Sequence, residues 1–226
     1  QFKKRIDRPF RVIGFPESVT AEKIENLCSA GAMHFGMGVE SLSEKTLKLY
    51  DRHTAPDRVV KSANILVDAA RRYQIIPPTF DVILGNPFEK PADVLTTFRR
   101  VLGIGLPAKY VLFHLVFFPG SKLYHRAVKE GVIDASDDEC FRSWYSNKDR
   151  ISMFIEFLFE AAVKDRTYKW LLHLMSREWI TAVLSSLYER SKLLRNVIRV
   201  LVLDFQGVLT GRYFQIAFRK LLRNPG

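Results

Sequence analysis

The chain has 226 residues, a length that suits one large domain or two small ones. Hydrophobic residues make up 47% and charged residues 26%, which are ordinary values for a globular protein and exclude disordered, collagen-like and coiled-coil chains. The net charge of +11 falls mostly on residues 141–226, where 15 Lys and Arg stand against seven Asp and Glu. A segment this basic could bind nucleic acid, an anionic membrane or an acidic partner. The alternative is that its charges form the solvated face of a helical domain.

Four short apolar runs predict β-strands, over 10–14, 33–39, 80–84 and 110–118. Between them, apolar residues at helical spacing predict helices, two of which begin at Pro56 and Pro91. Strands and helices that alternate every ~30–40 residues predict right-handed βαβ units and a parallel sheet. Because the strands are nearly continuous apolar runs, we expect both faces of the sheet to be covered. The pattern alone leaves open whether the sheet is doubly wound or part of a barrel.

The chain changes character near residue 135, where an acidic, turn-like stretch predicts a domain boundary. We therefore divide it into an α/β domain, 1–135, and an all-helical region, 136–226, with helices predicted at 151–163, 167–190, 192–204 and 212–224. No apolar run reaches the ~20 residues of a membrane span, and the first residues lack the pattern of a secretory signal. We expect a cytoplasmic protein, a piece of a longer one, whose cysteines, Cys28 and Cys140, are free thiols.

Polar side chains stand at the predicted carboxyl ends of three strands. Glu40 and Ser41 close the second strand, Asp81 lies within the third, and His114 lies within the fourth. This edge of a parallel sheet is where ligands bind, and carboxylates and hydroxyls around one mouth suit a ribose or an amino acid. Each position also has a purely structural alternative. In that alternative Asp81 accepts hydrogen bonds from backbone N–H groups, His114 packs in the core, and Glu40 with Ser41 caps the following helix.

Three segments match a known family in their order and spacing. They read HFGMGVESLSEKTLKLYDRHT, FDVILGNPFEKPADVLTTFRRVL and FHLVFFPGSKLYHRAVKEGVI. Over residues 9–133 they resemble the second half of a radical S-adenosylmethionine enzyme, and most closely the branch with an upstream cobalamin-binding domain. The resemblance implies a partial (β/α)6 TIM-like barrel, of which this chain supplies the last four parallel strands with their helices.

The resemblance also implies a binding site for S-adenosyl-L-methionine. Glu40 would contact its methionyl or ribose part, with Ser41 as a second candidate, and Arg52 would hold the methionyl carboxylate. A guanidinium suits that task because it pairs with a carboxylate through two parallel hydrogen bonds. The structural alternatives for Arg52 are a helix cap and an ion pair with Asp57.

The next two strands supply the nucleoside part of the implied site. Asp81 would accept hydrogen bonds from the ribose hydroxyls, while Ile83 and His114 would line the adenine. All six implied residues position the cosubstrate, so the resemblance implies no catalytic residue and no metal ligand in this chain.

The chemistry of the family needs a Cys-x3-Cys-x2-Cys loop that holds a [4Fe-4S] cluster, and the sequence contains no such segment. The resemblance therefore implies that the cluster is held by an N-terminal half of the same protein, which becomes the partner of this chain. We expect the chain alone to be inactive and the substrate to be a small molecule. Whether the parent uses cobalamin is left open. The alternative is a non-catalytic binding module whose basic helical tail contacts a membrane surface, nucleic acid or a partner protein.

Overall fold

The computed structural model describes residues 5–134 and Glu156. In this part of the chain the strands are β1 (Phe10–Gly14), β2 (Ala32–Glu40), β3 (Thr79–Leu84) and β4 (Lys109–His114). The helices are α1 (Ala21–Ser29), α2 (Glu44–Leu49), α3 (Pro56–Tyr73), α4 (Pro91–Leu102) and α5 (Lys122–Lys129), and a 3-10 turn, Pro16–Ser18, follows β1. The predicted helical region 136–226 lies outside the described residues, apart from Glu156, which is helical.

The four strands form one parallel sheet in the order β1-β2-β3-β4, as the alternation of strands and helices predicts. The fourth strand is shorter than predicted, because it ends at His114 rather than at residue 118. The physical reason is that the neighbouring strand, β3, ends at Leu84, opposite His114. The Leu115 N–H donates to the Leu84 carbonyl at 2.8 Å, and the chain after β3 then turns away at Gly85, whose φ is +78°.

The helices cover one face of the sheet. Side chains on that face form the core, where Phe35, Phe80 and Val82 are at most 2% exposed and pack with residues of α3 and α4. The other face differs from the expectation of two covered faces, since Ile13 in β1 is 68% exposed and Phe113 in β4 is 49% exposed. Within the described residues the sheet therefore has one covered face and one open face, and its side chains alternate between them.

The helix starts follow local signals in the sequence. Thr20 caps α1 by accepting from the Lys23 N–H at 3.3 Å, and Ser121 caps α5 in the same way. Pro56 and Pro91 begin α3 and α4, where a missing N–H costs nothing. These starts fix where each loop ends, and so they hold the polar loop residues at the carboxyl edge of the sheet.

Cys28 is a free, half-buried thiol, as predicted, and burial raises its pKa. Cys140 lies outside the described residues. Within residues 5–134 no helix combines the length and apolar character that crossing a bilayer requires. The same residues contain no group of three or more His, Cys, Asp or Glu placed to hold a metal ion.

Candidate functional site

A cavity of about 750 Å³ opens at the carboxyl edge of the sheet. Its walls come from the ends of β2, β3 and β4, the turn after α2 and the start of α5. Five of the six predicted site residues line it, namely Glu40, Arg52, Asp81, Ile83 and His114. The topology accounts for this convergence, because neighbouring parallel strands end at the same edge.

Glu40 and Arg52 form an ion pair on the cavity wall. Arg52 Nη2 donates to Glu40 Oε1 at 3.0 Å, and the two side chains are 34% and 17% exposed, Arg52 first. The guanidinium also lies over the ring of Phe15, with its Cζ 5.0 Å from the ring centroid. An ion pair between Arg52 and Asp57, the structural alternative, does not form, since Asp57 pairs with Arg100. Arg52 is thus held from two sides at the cavity.

The backbone at Glu40 aims its side chain. Its φ is +59°, in the left-handed region that non-glycine residues seldom occupy. The Ser41 N–H donates to the Val39 carbonyl at 2.7 Å, which closes a three-residue turn. The Glu40 carboxylate lies so close to Gly38 that a Cβ there would stand 2.5 Å from Glu40 Oε1. Gly38 therefore makes room for the carboxylate.

Two of the three carboxyl groups that line the cavity, those of Glu40 and Asp81, have raised pKa values. Burial raises the pKa of Glu40, the nearby Arg52 lowers it in part, and Asp81 adds to the rise. Burial likewise raises the pKa of Asp81, against the opposing charge of Arg11. Desolvated carboxylates gain the most from a ligand that brings hydroxyl donors or positive charge to them. The cavity is therefore suited to a ligand with such groups.

We expect Asp81→Asn to raise the free energy of unfolding at pH 7. Because the folded-state pKa of Asp81 lies above its unfolded value, the stability contributed by this group is present below the unfolded pKa, ~3.9, and is lost as the pH rises through the folded pKa. The neutral amide removes that loss. Urea denaturation of both proteins at pH 7 and pH 3.5 checks this, since the advantage of the variant should shrink at the lower pH. A variant less stable at pH 7 would contradict it.

His114 lines the cavity as an exposed residue at the end of β4, so it is not a core histidine. Its ring lies beside Gly85, where a Cβ would stand 3.1 Å from His114 Nδ1. The φ of +78° at Gly85 is one that glycine adopts without penalty. The Gly85 N–H donates to Glu156 Oε1 at 3.0 Å, and Glu156 is 7% exposed. The carboxylate of Glu156 thus binds the backbone directly after β3.

No protein-family model matches the chain. Among curated proteins, the chain is similar to the oxygen-independent coproporphyrinogen III oxidase of Bradyrhizobium diazoefficiens, with 25% identity over 118 residues. The match covers 52% of this chain and 25% of that protein. The chain thus spans about a quarter of the length of the curated relative that it matches.

Solved structures similar to the chain include the coproporphyrinogen III oxidase HemN of Escherichia coli, a radical SAM enzyme, with a TM-score of 0.43 and 19% identity over 59% of this chain and 30% of that one. Elp3 of Methanocaldococcus infernus gives a TM-score of 0.44 and 18% sequence identity, over 54% of this chain and 28% of Elp3. The radical S-adenosylmethionine methyltransferase TsrM of Kitasatospora setae, with tryptophan and a SAM analogue bound, gives a TM-score of 0.46 and 14% sequence identity. That match covers 54% of this chain and 23% of TsrM. The chain is similar to radical S-adenosylmethionine enzymes.

Ser41, the sixth residue implied by the resemblance, lies away from the cavity. Its hydroxyl is 2.9 Å from Thr97 Oγ1 and accepts from the Ser43 N–H at 3.2 Å. Ser41 and Thr97 are 1% and 4% exposed. The unusual backbone at Glu40 accounts for this, because it turns Glu40 towards the cavity and the next side chain towards α4. Ser41 thus joins the loop after β2 to that helix.

Further buried polar contacts join the loops after β2 and β3. Thr46 Oγ1 donates to Glu89 Oε1 at 2.8 Å, and Ser43 Oγ donates to Asp93 Oδ1 at 3.2 Å. Thr46, Glu89 and Ser43 are each at most 9% exposed. Leaving one such buried group unpaired costs about 1–3 kcal/mol, so these bonds fix the two loops relative to each other. They form the support beneath the cavity.

Sequence analysis missed several residues around Arg52. Phe15 stands directly after β1 at the same edge of the sheet, and an aromatic residue just beyond a strand end is the signal that could have found it. Tyr50 and Asp51 line the cavity from the turn after α2. Lys122 donates to Asp51 Oδ2 at 2.9 Å across 71 positions of sequence, a contact with no local signal.

Proposed function

We propose that this chain is part of a radical S-adenosylmethionine enzyme and that its cavity binds S-adenosyl-L-methionine. The observation that carries the proposal is the Arg52–Glu40 ion pair at 3.0 Å, set in a cavity of about 750 Å³. Small-molecule sites commonly enclose ~300–1,000 Å³, so the space suits the cosubstrate. The 25% sequence identity with the coproporphyrinogen III oxidase supports membership of the same family. We further propose that the whole enzyme acts on a small-molecule substrate in the cytoplasm.

The residues on the cavity wall fit the chemical groups of the cosubstrate. The guanidinium of Arg52 offers paired donors to the methionyl carboxylate. Glu40 and Asp81 offer acceptors to the amino group and the ribose hydroxyls, and their charge favours the sulfonium cation. Ile83 and Leu115 offer apolar surface to the adenine. These residues bind and orient the cosubstrate, and none of them breaks a bond.

The residues of this chain do not fit the iron–sulfur cluster of the family. The sequence has two cysteines, Cys28 and Cys140, and no Cys-x3-Cys-x2-Cys segment. In this proposal the cluster therefore belongs to another part of the parent protein, and no step of the reaction is assigned to it here. Cobalamin is likewise not assigned to residues of this chain.

In this proposal the four-stranded sheet is part of a partial barrel. The covered face packs on helices, while the open face carries exposed apolar side chains such as Ile13 and Phe113 together with polar ones such as Asp81, on the side where a barrel interior would lie. Within the described residues β1 pairs with β2 on one side, and in this proposal a further strand pairs with its other side. We propose that an N-terminal half of the same protein supplies that strand and the cluster.

Isothermal titration of S-adenosylmethionine into the full chain tests the proposal. We expect wild-type binding that Arg52→Ala weakens about tenfold or more, because a charge-assisted hydrogen bond contributes ~1.5–3 kcal/mol. 5′-Methylthioadenosine lacks the carboxylate, so its affinity should not change in that variant. Arg72→Ala is the matched control, since Arg72 is an exposed arginine that pairs with Glu25 on the helical side.

Three results would contradict the proposal. The first is a folded wild-type chain that does not bind S-adenosylmethionine. The second is an Arg52→Ala variant with wild-type affinity for it. The third is an equal loss of affinity for both ligands in that variant, which would place Arg52 away from the carboxylate.

A further inference from the structure

The turn that carries Arg52 is built from an unusual helix end. α2 ends at Leu49, and the Tyr50 N–H donates to the Thr46 carbonyl at 3.0 Å. Asp51 then adopts a φ of +59°, in the left-handed region, and the Arg52 N–H donates back to the Leu47 carbonyl at 2.8 Å. This geometry closes the helix as a glycine commonly does, and it reverses the chain so that Arg52 reaches Glu40.

The turn has one exposed tether and one buried tether. The exposed tether is the ion pair of Asp51 with Lys122, whose side chains are 62% and 90% exposed, and an ion pair so accessible to solvent contributes little. The buried tether is Tyr50, whose hydroxyl oxygen accepts from Asn86 Nδ2 at 3.0 Å. The aromatic ring of Tyr50 packs against the small core that contains Leu115 and Phe117.

The partner of Tyr50 is itself fixed in one orientation. Asn86 is 0% exposed, and its Oδ1 accepts from the Phe88 N–H at 2.9 Å. That bond determines which end of the amide faces Tyr50, so Nδ2 is presented to the phenol oxygen. Burial and the neighbouring Glu89 raise the pKa of Tyr50 well above its usual value, which keeps the phenol neutral at every pH of interest.

We propose that Tyr50 is a positioning residue for Arg52: the Asn86–Tyr50 hydrogen bond sets the place of the turn after α2, and thereby the reach of the guanidinium to the carboxylate of the cosubstrate. This inference rests on the proposed function, and it adds a residue that does not itself recognise the carboxylate. It also gives the loop after β3 a role in the site, through Asn86.

Tyr50→Phe in the full chain tests the inference. We expect the affinity for S-adenosylmethionine to fall about 3–10-fold, while the affinity for 5′-methylthioadenosine stays within about twofold. In the Arg52→Ala background the same substitution should change S-adenosylmethionine affinity by less than about twofold, because an effect exerted through Arg52 disappears with it. Tyr110→Phe is the matched control, since Tyr110 is a half-buried tyrosine whose hydroxyl donates to the Val101 carbonyl at 3.4 Å on the helical side of the sheet.

The outcomes separate the two proposals. If Arg52→Ala alone leaves S-adenosylmethionine affinity unchanged, the proposed function fails and the inference falls with it. If Arg52→Ala lowers the affinity but Tyr50→Phe does not, the positioning role alone is overturned. Equal losses for both ligands, or additive losses in the double variant, would likewise overturn it. Should circular dichroism show Tyr50→Phe unfolded, Asn86→Ala removes the same hydrogen bond, together with the one from the Phe88 N–H, and is held to the same expectations.

Discussion

Replacing Phe80 with alanine is expected to lower the free energy of unfolding by about 3–5 kcal/mol. Phe80 lies in β3, between β2 and β4, and its side chain is 0% exposed. Its ring lies 5.8 Å from that of Tyr110, its register partner in β4. A strand hydrogen-bonded on both sides cannot move to fill the space that the missing ring leaves. Because domains are stable by only ~5–15 kcal/mol, a loss of this size should be evident in urea denaturation followed by circular dichroism.

Phe113→Ala is the matched control, with the same change in the neighbouring strand but on the open face. Phe113 is 49% exposed, so its removal should cost less than about 1 kcal/mol. The difference between the two variants measures how unequal the two faces of the sheet are. Equal losses would mean that the open face is covered in solution, and the description of a one-sided sheet would be wrong.

Apolar runs were enough to predict the four strands, because in each run alternate side chains pack on the covered face of the sheet. They could not show which face is covered. The run at 110–118 mixes core residues such as Leu112 with exposed ones such as Phe113, and it continues past His114 where the neighbouring strand has ended. Strand length depends on the partner, and that partner is 30 residues earlier in the chain, with Leu84 opposite His114.

The site was predictable to the extent that it follows topology. Glu40 and His114 stand at strand ends and Asp81 lies within β3, and neighbouring parallel strands bring such positions together. The direction of Ser41 was not predictable, because it depends on the positive φ at Glu40, which the residue type disfavours. The positioning role proposed for Tyr50 could not be predicted from the sequence either, because its hydroxyl accepts a hydrogen bond from Asn86, 36 positions later in the chain.

Gly38→Ala is expected to lower the affinity for S-adenosylmethionine about 100-fold with little effect on stability. The new Cβ would stand 2.5 Å from Glu40 Oε1, so the carboxylate must leave its place and release Arg52. The two charge-assisted contacts proposed with the cosubstrate are then misplaced, each worth ~1.5–3 kcal/mol. The free energy of unfolding should change by less than about 1 kcal/mol, because the clash is with the end of a flexible side chain and alanine is easier than glycine to order in a strand.

Gly36→Ala is the control that distinguishes displacement of the Glu40 carboxylate from a general distortion of β2. Gly36 lies two residues earlier on the same face of β2, and a Cβ there would meet Arg11 Nη2 at 3.2 Å and Thr79 Oγ1 at 3.3 Å, away from Glu40. Crowding of this kind costs about 1 kcal/mol or more of stability, since Thr79 belongs to the neighbouring strand and cannot easily withdraw. Affinity for the cosubstrate should nevertheless stay within about twofold. If Gly36→Ala weakened binding as much as Gly38→Ala, the effect would come from distortion of β2, and the place of Glu40 in the site would have to be given up.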